Sequence, residues 1–379
     1  MNAESYRSAV LNIAYLAACA VNRTAPDRER TDQMDPDALL QAAQRHLLSG
    51  ITAMALESAG ITNEKLTRAK GNAIRKVILL NAEKDAILQR FEAAGIWYMP
   101  LKGALLKDLY PSVGMRQMSD IDILIDPDRV KEAGKIMSEL GYQEEEATFA
   151  HIAYVKKPLY NIELHRQLFS PAIENKSLNA YYRSVKDRIL PDEDRRFGFH
   201  FTDEDFYLYM TAHEYKHYAI GGTGLRSLLD TYVYCTQKGP AMDWDYIRQE
   251  LEKLGIADFE AQNRCLAMDL FQGKTLDPKE EEMLEYIIFS GTYGTISNEI
   301  SNHLTREGNG AGAKLKYLFR RLYPPMDVVR SIFPTFAKYP VLLPFLPLYR
   351  LFRGRKRNAG RLTSELKELI HYKKKTKEE

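Results

Sequence analysis

The sequence predicts an α+β protein, a small mixed sheet set between an N-terminal and a C-terminal helical region. Three observations carry this reading: apolar residues recur at helical spacing through residues 1–94, the pattern changes at Gly95 to alternating short strands and helices, and from Thr202 it returns to helical spacing. The expected divisions are an N-terminal helical region over 1–94, a sheet core over 95–200, a helical domain over 201–307 and a basic C-terminal segment over 308–379. At 379 residues, with 45% hydrophobic and 27% charged residues, one large core or two domains are expected, and disorder, collagen and small disulfide scaffolds are excluded.

In the first region Leu39, Leu40, Ala43, Leu47 and Leu48 recur at helical spacing, as do Ile78, Leu79, Ala82, Ile87 and Leu88. Val10–Val21 is mostly apolar, and Leu16-Ala17-Ala18-Cys19 has the look of a lipoprotein processing box. Glu4 offsets Arg7, however, and Asn12 and Tyr15 interrupt the apolar run, so an amphipathic first helix is the preferred reading. No apolar run elsewhere approaches the roughly 20 residues that span a bilayer. The region is expected to form a helical layer packed on the sheet core.

The sheet core begins at Ile96-Trp97-Tyr98-Met99, which stops at Pro100. Lys102-Gly103 opens a short helical stretch, Ala104–Leu109, and Pro111, Ser112 and Gly114 make a loop. Ile121-Asp122-Ile123-Leu124-Ile125 reads as a buried strand. Asp126-Pro127 supplies a helix cap, and the helix over 128–140 stops at Gly141. Strands near 150–155 and 160–164 complete a β-α-β-α-β-β order. Thr202 then caps a helix whose first turn carries Asp203, Glu204 and Asp205, where negative charge suits the helix dipole. Gly308, Gly310 and Gly312 break the chain before its last segment.

The net charge of +2 conceals an asymmetry. Residues 314–379 carry 17 Lys+Arg against 5 Asp+Glu, a local net of +12, which leaves 36 against 46, or −10, on residues 1–313. The three cysteines, Cys19, Cys235 and Cys265, lie far apart with no Cys-x-x-Cys, so they read as buried thiols in a reducing cytoplasm.

The chemistry centres on Asp120 and Asp122. They flank one apolar residue, and the strand period of two puts both carboxylates on one face. Two such charges repel unless a cation or shared proton compensates them, and hard oxygen donors suit Mg²⁺. Upstream, Lys102-Gly103 offers a lysine and backbone N–H groups to a phosphate chain. Arg116 lies within reach of a phosphate or of the acidic pair. Downstream, Glu163 and His165 share a strand face and bring a third carboxylate.

The series Pro100-Leu101-Lys102-Gly103, then Arg116-Gln117-Met118-Ser119-Asp120-Ile121-Asp122-Ile123-Leu124-Ile125, then Ile162-Glu163-Leu164-His165, resembles the uncharacterised nucleotidyltransferase family of the polymerase-β-like superfamily, from about residue 30 to residue 350. The resemblance implies a small mixed-sheet nucleotidyltransferase core that moves a nucleoside monophosphate from an NTP such as ATP to an acceptor hydroxyl by two-metal catalysis, with two Mg²⁺ (or Mn²⁺) ions on three carboxylates. Carried onto this chain, it makes Asp120, Asp122 and Glu163 metal-binding and catalytic, with Glu163 also helping to deprotonate the acceptor. Lys102, Gly103, Arg116 and Ser119 become nucleotide-binding. His165, His217, Arg226 and Asp230 belong to the cleft, with Arg226 on phosphate and Asp230 orienting it. One departure is Ala104, where the superfamily has Gly or Ser: a hydroxyl contact is missing, and Lys102 substitutes as a charge. That departure favours the alternative of a non-catalytic binding or scaffold protein on the same fold.

A competing pattern is His213-Glu214-Tyr215-Lys216-His217, which matches the His-Glu-x-x-His of zinc peptidases. Ile220 stands where the extended motif has glycine, and Glu250 or Glu252 would have to serve as third ligand. In the tail, the apolar stretch Val341–Leu348 precedes Arg353, Arg355, Lys356 and Arg357. Either it covers an apolar groove on the body, or anchors and charges together meet an anionic membrane surface or a partner. Nucleic acid fits less well, because Tyr339, Phe345, Tyr349 and Phe352 look packed rather than spaced for stacking.

Overall fold

The computed structural model describes residues 1–148, 150–170 and 176–292, and beyond them 294–295, 297–298, 300, 302, 319, 322–324, 326, 329–330 and 333–353. It is an α+β fold. Five helices come first: α1 Ala3–Val21, α2 Arg28–Asp32, α3 Pro36–His46, α4 Ser49–Ser58 and α5 Glu64–Ala94. Asn2, Asp27, Asp35 and Asn63 cap four of them by accepting hydrogen bonds from first-turn N–H groups. The apolar run continuing through Leu47 is interrupted, because Leu47 adopts φ +56° and turns the chain between α3 and α4.

The sheet core comes next as β1 Tyr98–Pro100, α6 Gly103–Leu106, β2 Ile121–Ile125, α7 Val130–Glu139, β3 Gln143–Ala147, β4 His151–Lys156 and β5 Tyr160–His165. The five strands lie in the order β1-β2-β5-β4-β3, and β2 and β5 are the parallel pair in an otherwise antiparallel sheet. The N-cap at Asp126 and the stop at Gly141 (φ +84°) are as the sequence predicts. β3 is not anticipated: all five of its residues face solvent and three are glutamates. That is the charged edge which keeps a sheet from pairing with another chain, and it shows none of the alternation that marks a half-buried strand. After α8 Lys176–Tyr181, β6 Ile189–Pro191 and β7 Phe199–Phe201 form a separate hairpin, also unforeseen.

Five longer helices complete the body: α9 Asp203–Ile220, α10 Leu225–Gln237, α11 Trp244–Leu254, α12 Ala257–Phe271 and α13 Pro278–Ser290. Thr202 caps α9 through the Asp205 N–H. The N-terminal helices do more than cover the sheet. α1, α3 and α4 share one buried cluster with α10, α12 and α13, including Ile13, Leu16, Ile51, Leu228 and Ile287. α5 and α7 cover one sheet face with Phe91, Ala133 and Met137, and α9 and α11 lie against the other through Tyr209, Met210 and Leu251. Each fully buried aliphatic side chain stabilises these contacts by about 1.5–3 kcal/mol.

The loop between α6 and β2 is held by backbone approach. A Cβ at Gly50 would meet the Gly114 carbonyl oxygen at 2.3 Å, and one at Gly114 (φ +89°) would meet Ile74 at 2.6 Å, so glycine fits at both positions. Cys19 and Cys235 are buried, but Cys265 is exposed, which corrects the expectation of three buried thiols. No described helix is long and apolar enough to cross a membrane. In the C-terminal segment, Pro334–Lys338 and Leu346–Arg353 are helical, and Val341, Phe345, Leu348 and Tyr349 are exposed rather than covered. The glycine break at 308–312 and the basic residues Arg355, Lys356 and Arg357 lie outside the described residues.

Candidate active site

Strand period positions the chemistry. Ile121, Ile123 and Ile125 join the cluster beneath α5 and α7, while Leu124 joins the cluster around α9. Asp122 shares the face of Leu124 and so looks toward the helical half. β5 runs parallel beside β2 with Glu163 in register with Asp122, and Asp120 immediately precedes β2. All three carboxylates line one cavity of about 390 Å³, within the range of small-molecule sites. Lys102, His213, Lys216, His217 and Arg226 line the same cavity, the first from the turn before α6, the next three from α9 and the last from α10.

The charges interlock. Lys102 Nζ lies 3.7 Å from Asp122 Oδ2 and contacts His213 Nε2, while His165 Nε2 lies 2.8 Å from Asp122 Oδ1. Burial works against the Asp122 charge, but Lys102 and then His165 outweigh it and hold this carboxyl well below the usual range. At Asp120 burial comes first and repulsion from Asp122 and Glu163 adds to it, pushing the carboxyl up to about 6. Burial lowers the Lys102 amine, and burial followed by the Lys102 charge pushes Lys216 down to about 8. Burial and the two lysines hold His213 and His217 well below the ordinary imidazole value, so both rings are neutral. Lys102 has φ +37°, a conformation that costs a non-glycine residue on the order of 1–3 kcal/mol and is concentrated at functional sites.

The other residues expected at the site divide by role. Gly103 lines the cavity, and its lack of a side chain has a packing cause: a Cβ there would lie 2.7 Å from Arg116 Nη1 and 3.0 Å from Met118 Cε. Ser119 lines the cavity, and its carbonyl accepts a hydrogen bond from Lys76 Nζ at 2.9 Å. Ala104 is buried in the apolar cluster under α5 and does not line the cavity, so a hydroxyl at that position would have met the core. Two expectations need correction. Arg116 gives Nε and Nη2 to Asp230, both at 2.8 Å, and Tyr110 Oη donates to the same carboxylate at 2.7 Å. Its fork is therefore committed to α10 rather than to a phosphate, and Asp230 orients Arg116 rather than Arg226. Arg226 instead donates to the Gln117 carbonyl at 3.1 Å, beside Asp120.

The zinc-peptidase reading of α9 does not fit. His213 and His217 approach within 3.2 Å through their Nε2 atoms, but the Lys102 ammonium contacts the first of them. Among the described residues, no third histidine, cysteine or carboxylate joins the pair at metal-ligand distance. Glu250 is taken by Arg188 and Lys253. Glu214 sits in a buried network with Thr231 and Asn263, and burial, with the Asp230 charge behind it, pushes its carboxyl up to about 8. A carboxyl protonated at neutral pH is no general base for a bound water.

Glu214 does make the fold sensitive to pH. Its folded pKa lies above the ordinary 4.5, so its stabilising contribution is complete below about pH 4.5 and is lost as pH rises through about 8. Glu214→Gln, which stays neutral, is expected to remove that part of the decline. Urea unfolding at pH 5 and pH 8 measures it, and equal pH dependence in variant and parent would refute a buried neutral carboxyl.

Lys216 and His151 line the cavity and are not among the residues the sequence places there. Lys216 carried a usable signal, since it shares one helical face with His213 and His217 at i, i+3 and i+4. His151 carried none. It opens β4, and only the sheet register sets it opposite His165.

Carboxylates on two adjacent strands thus face a basic helical wall across the cleft. The chain belongs to the uncharacterised nucleotidyltransferase family, whose model matches residues 32–272, a span that ends before the residue 350 expected from the resemblance. A solved structure described as an antigenic nucleotidyltransferase-like protein from Paracoccidioides brasiliensis is similar over 52% of this chain and 94% of its own, at 14% identity and a TM-score of 0.34. No match was found among curated proteins.

Proposed function

We propose that the cleft binds a nucleoside triphosphate with divalent cations and transfers its nucleoside monophosphate to an acceptor hydroxyl. The observation that carries this reading is the register of Asp122 with Glu163, with Asp120 beside them, across from Lys102, Lys216 and Arg226. The donor set fits hard cations. Burial, with repulsion from Asp122 and Glu163 behind it, pushes the Asp120 carboxyl up, and oxygen donors of this kind are what Mg²⁺ or Mn²⁺ takes from a protein. Asp120, Asp122 and Glu163 would hold the ions, which when bound supply charge to the attacking and leaving oxygens.

The chain's own residues do the rest. Lys102, Lys216 and Arg226 hold the negative triphosphate, and the depressed lysines gain a partner for their charge. The acceptor oxygen forms a bond to the α-phosphorus while the bond from that phosphorus to the β-phosphate oxygen breaks, and pyrophosphate leaves. Glu163 takes the hydroxyl proton. His165 fixes the Asp122 carboxylate through its 2.8 Å hydrogen bond. The cleft between sheet and α9 keeps the reacting groups partly out of water, where fixed charges act more strongly.

The test is binding. Thermal unfolding of the full chain with ATP, CTP, GTP or UTP and Mg²⁺ is expected to show stabilisation by at least one nucleotide, about 2.7 kcal/mol at a hundredfold excess over Kd. Absence of a shift with all four would reject the reading and leave a non-catalytic binding protein.

A further inference from the structure

We infer that His151, Glu163 and His165 form a binding site for a divalent transition cation of the zinc class, distinct in ligand chemistry from an all-oxygen magnesium site. The three side chains come from neighbouring strands: His151 on β4 pairs directly with His165 on β5, and Glu163 lies two residues before His165 on the same face. Their ligand atoms all lie within 4.8 Å of one another.

The spacing of the three side chains suits one shared cation. Thr148 Oγ1 lies 3.0 Å from the His151 carbonyl and 3.3 Å from His151 Nδ1, with one proton to give to either. His151 Nε2 lies 3.6 Å from Glu163 Oε2. Their separation is too long for a hydrogen bond, as is the 3.6 Å between His165 Nε2 and the same Glu163 oxygen. Two ligands placed tetrahedrally about 2.0–2.1 Å from one ion stand roughly 3.4 Å apart, close to both separations. Thr148 Oγ1 also sits beside His151 Nδ1, the second ring nitrogen that metal sites commonly anchor. Binding would release the proton that His165 Nε2 shares with Asp122, and that proton passes to solvent.

Two imidazoles with one carboxylate suit Zn²⁺, Co²⁺ or Ni²⁺, whereas Mg²⁺ prefers oxygen alone. The site shares Glu163 and His165 with the proposed nucleotidyl transfer, but its test uses no nucleotide and stands whether or not that reaction occurs. The full chain, freed of metal by chelation, is titrated with Co²⁺ and followed by calorimetry and visible absorption. One equivalent is expected to bind, with Mg²⁺ competing only at a concentration at least about 100-fold higher. His151→Gln is expected to weaken Co²⁺ binding by roughly 10–100-fold with circular dichroism unchanged, while His213→Gln binds as the parent does. Parent-like affinity in His151→Gln would overturn the inference, as would loss of the ion in His213→Gln or displacement by equimolar Mg²⁺.

Discussion

Asp230→Ala is expected to destabilise the protein by about 3–5 kcal/mol, the cost of leaving one half of a buried ion pair without its partner. The side chains of Arg116 and Asp230 are only 6% and 7% exposed, and the bidentate bond between them joins the loop before β2 to α10, 114 residues away in sequence. Removing the carboxylate strands the guanidinium in a place water does not reach, and it also deprives the Tyr110 hydroxyl of its acceptor. The damage would extend to the cleft, because Arg116 Nη1 packs beneath Gly103. Denaturant unfolding gives the number directly. A loss below about 1 kcal/mol would mean that the pair is hydrated in solution and does not clamp the two halves. Arg116→Lys keeps the charge but loses the planar fork, so it should fall between parent and Asp230→Ala.

Asp122→Asn is expected to lower nucleotidyl transfer by at least about 10²-fold, the typical loss when one preorganised electrostatic contact is removed from a developing charge. The amide keeps the size of the side chain and can accept a hydrogen bond from His165, so the fold should survive while the charge is lost. The change also frees Lys102, whose ammonium is 3.7 Å from the carboxylate, to bind anions without a competitor. Nucleotide binding should therefore change less than turnover. Pyrophosphate release at saturating nucleotide, compared with the thermal shift of the same variant, separates the two effects. Parent-like turnover in Asp122→Asn would show that the carboxylate is not part of the chemistry.

The strands and helices that position the site were legible where one face of an element is apolar. β2 and α7 could be placed to within a few residues because Ile121, Ile123 and Ile125 alternate and Asp126 and Gly141 mark the helix ends. β3 was not legible, since its glutamates face water on both sides and leave no pattern to read. Gly103 was recognised as a site residue, yet the contact that requires a glycine there is with Arg116 and Met118 rather than with a ligand.

Local pattern alone therefore placed Asp120 and Asp122 at the start of one strand, put Glu163 and His165 on one face of another, and set His213 and His217 on one side of a helix. Which of these faces meet was fixed only by the folded chain. The parallel register set Asp122 against Glu163, the antiparallel register set His151 against His165, and packing of α10 gave Arg116 to Asp230 and left Arg226 beside Asp120. Periodicity records whether a side chain faces apolar core or water, which each element shows by itself. Pairing depends on how those apolar faces are buried against one another, and that is a property of contacts between residues far apart in sequence.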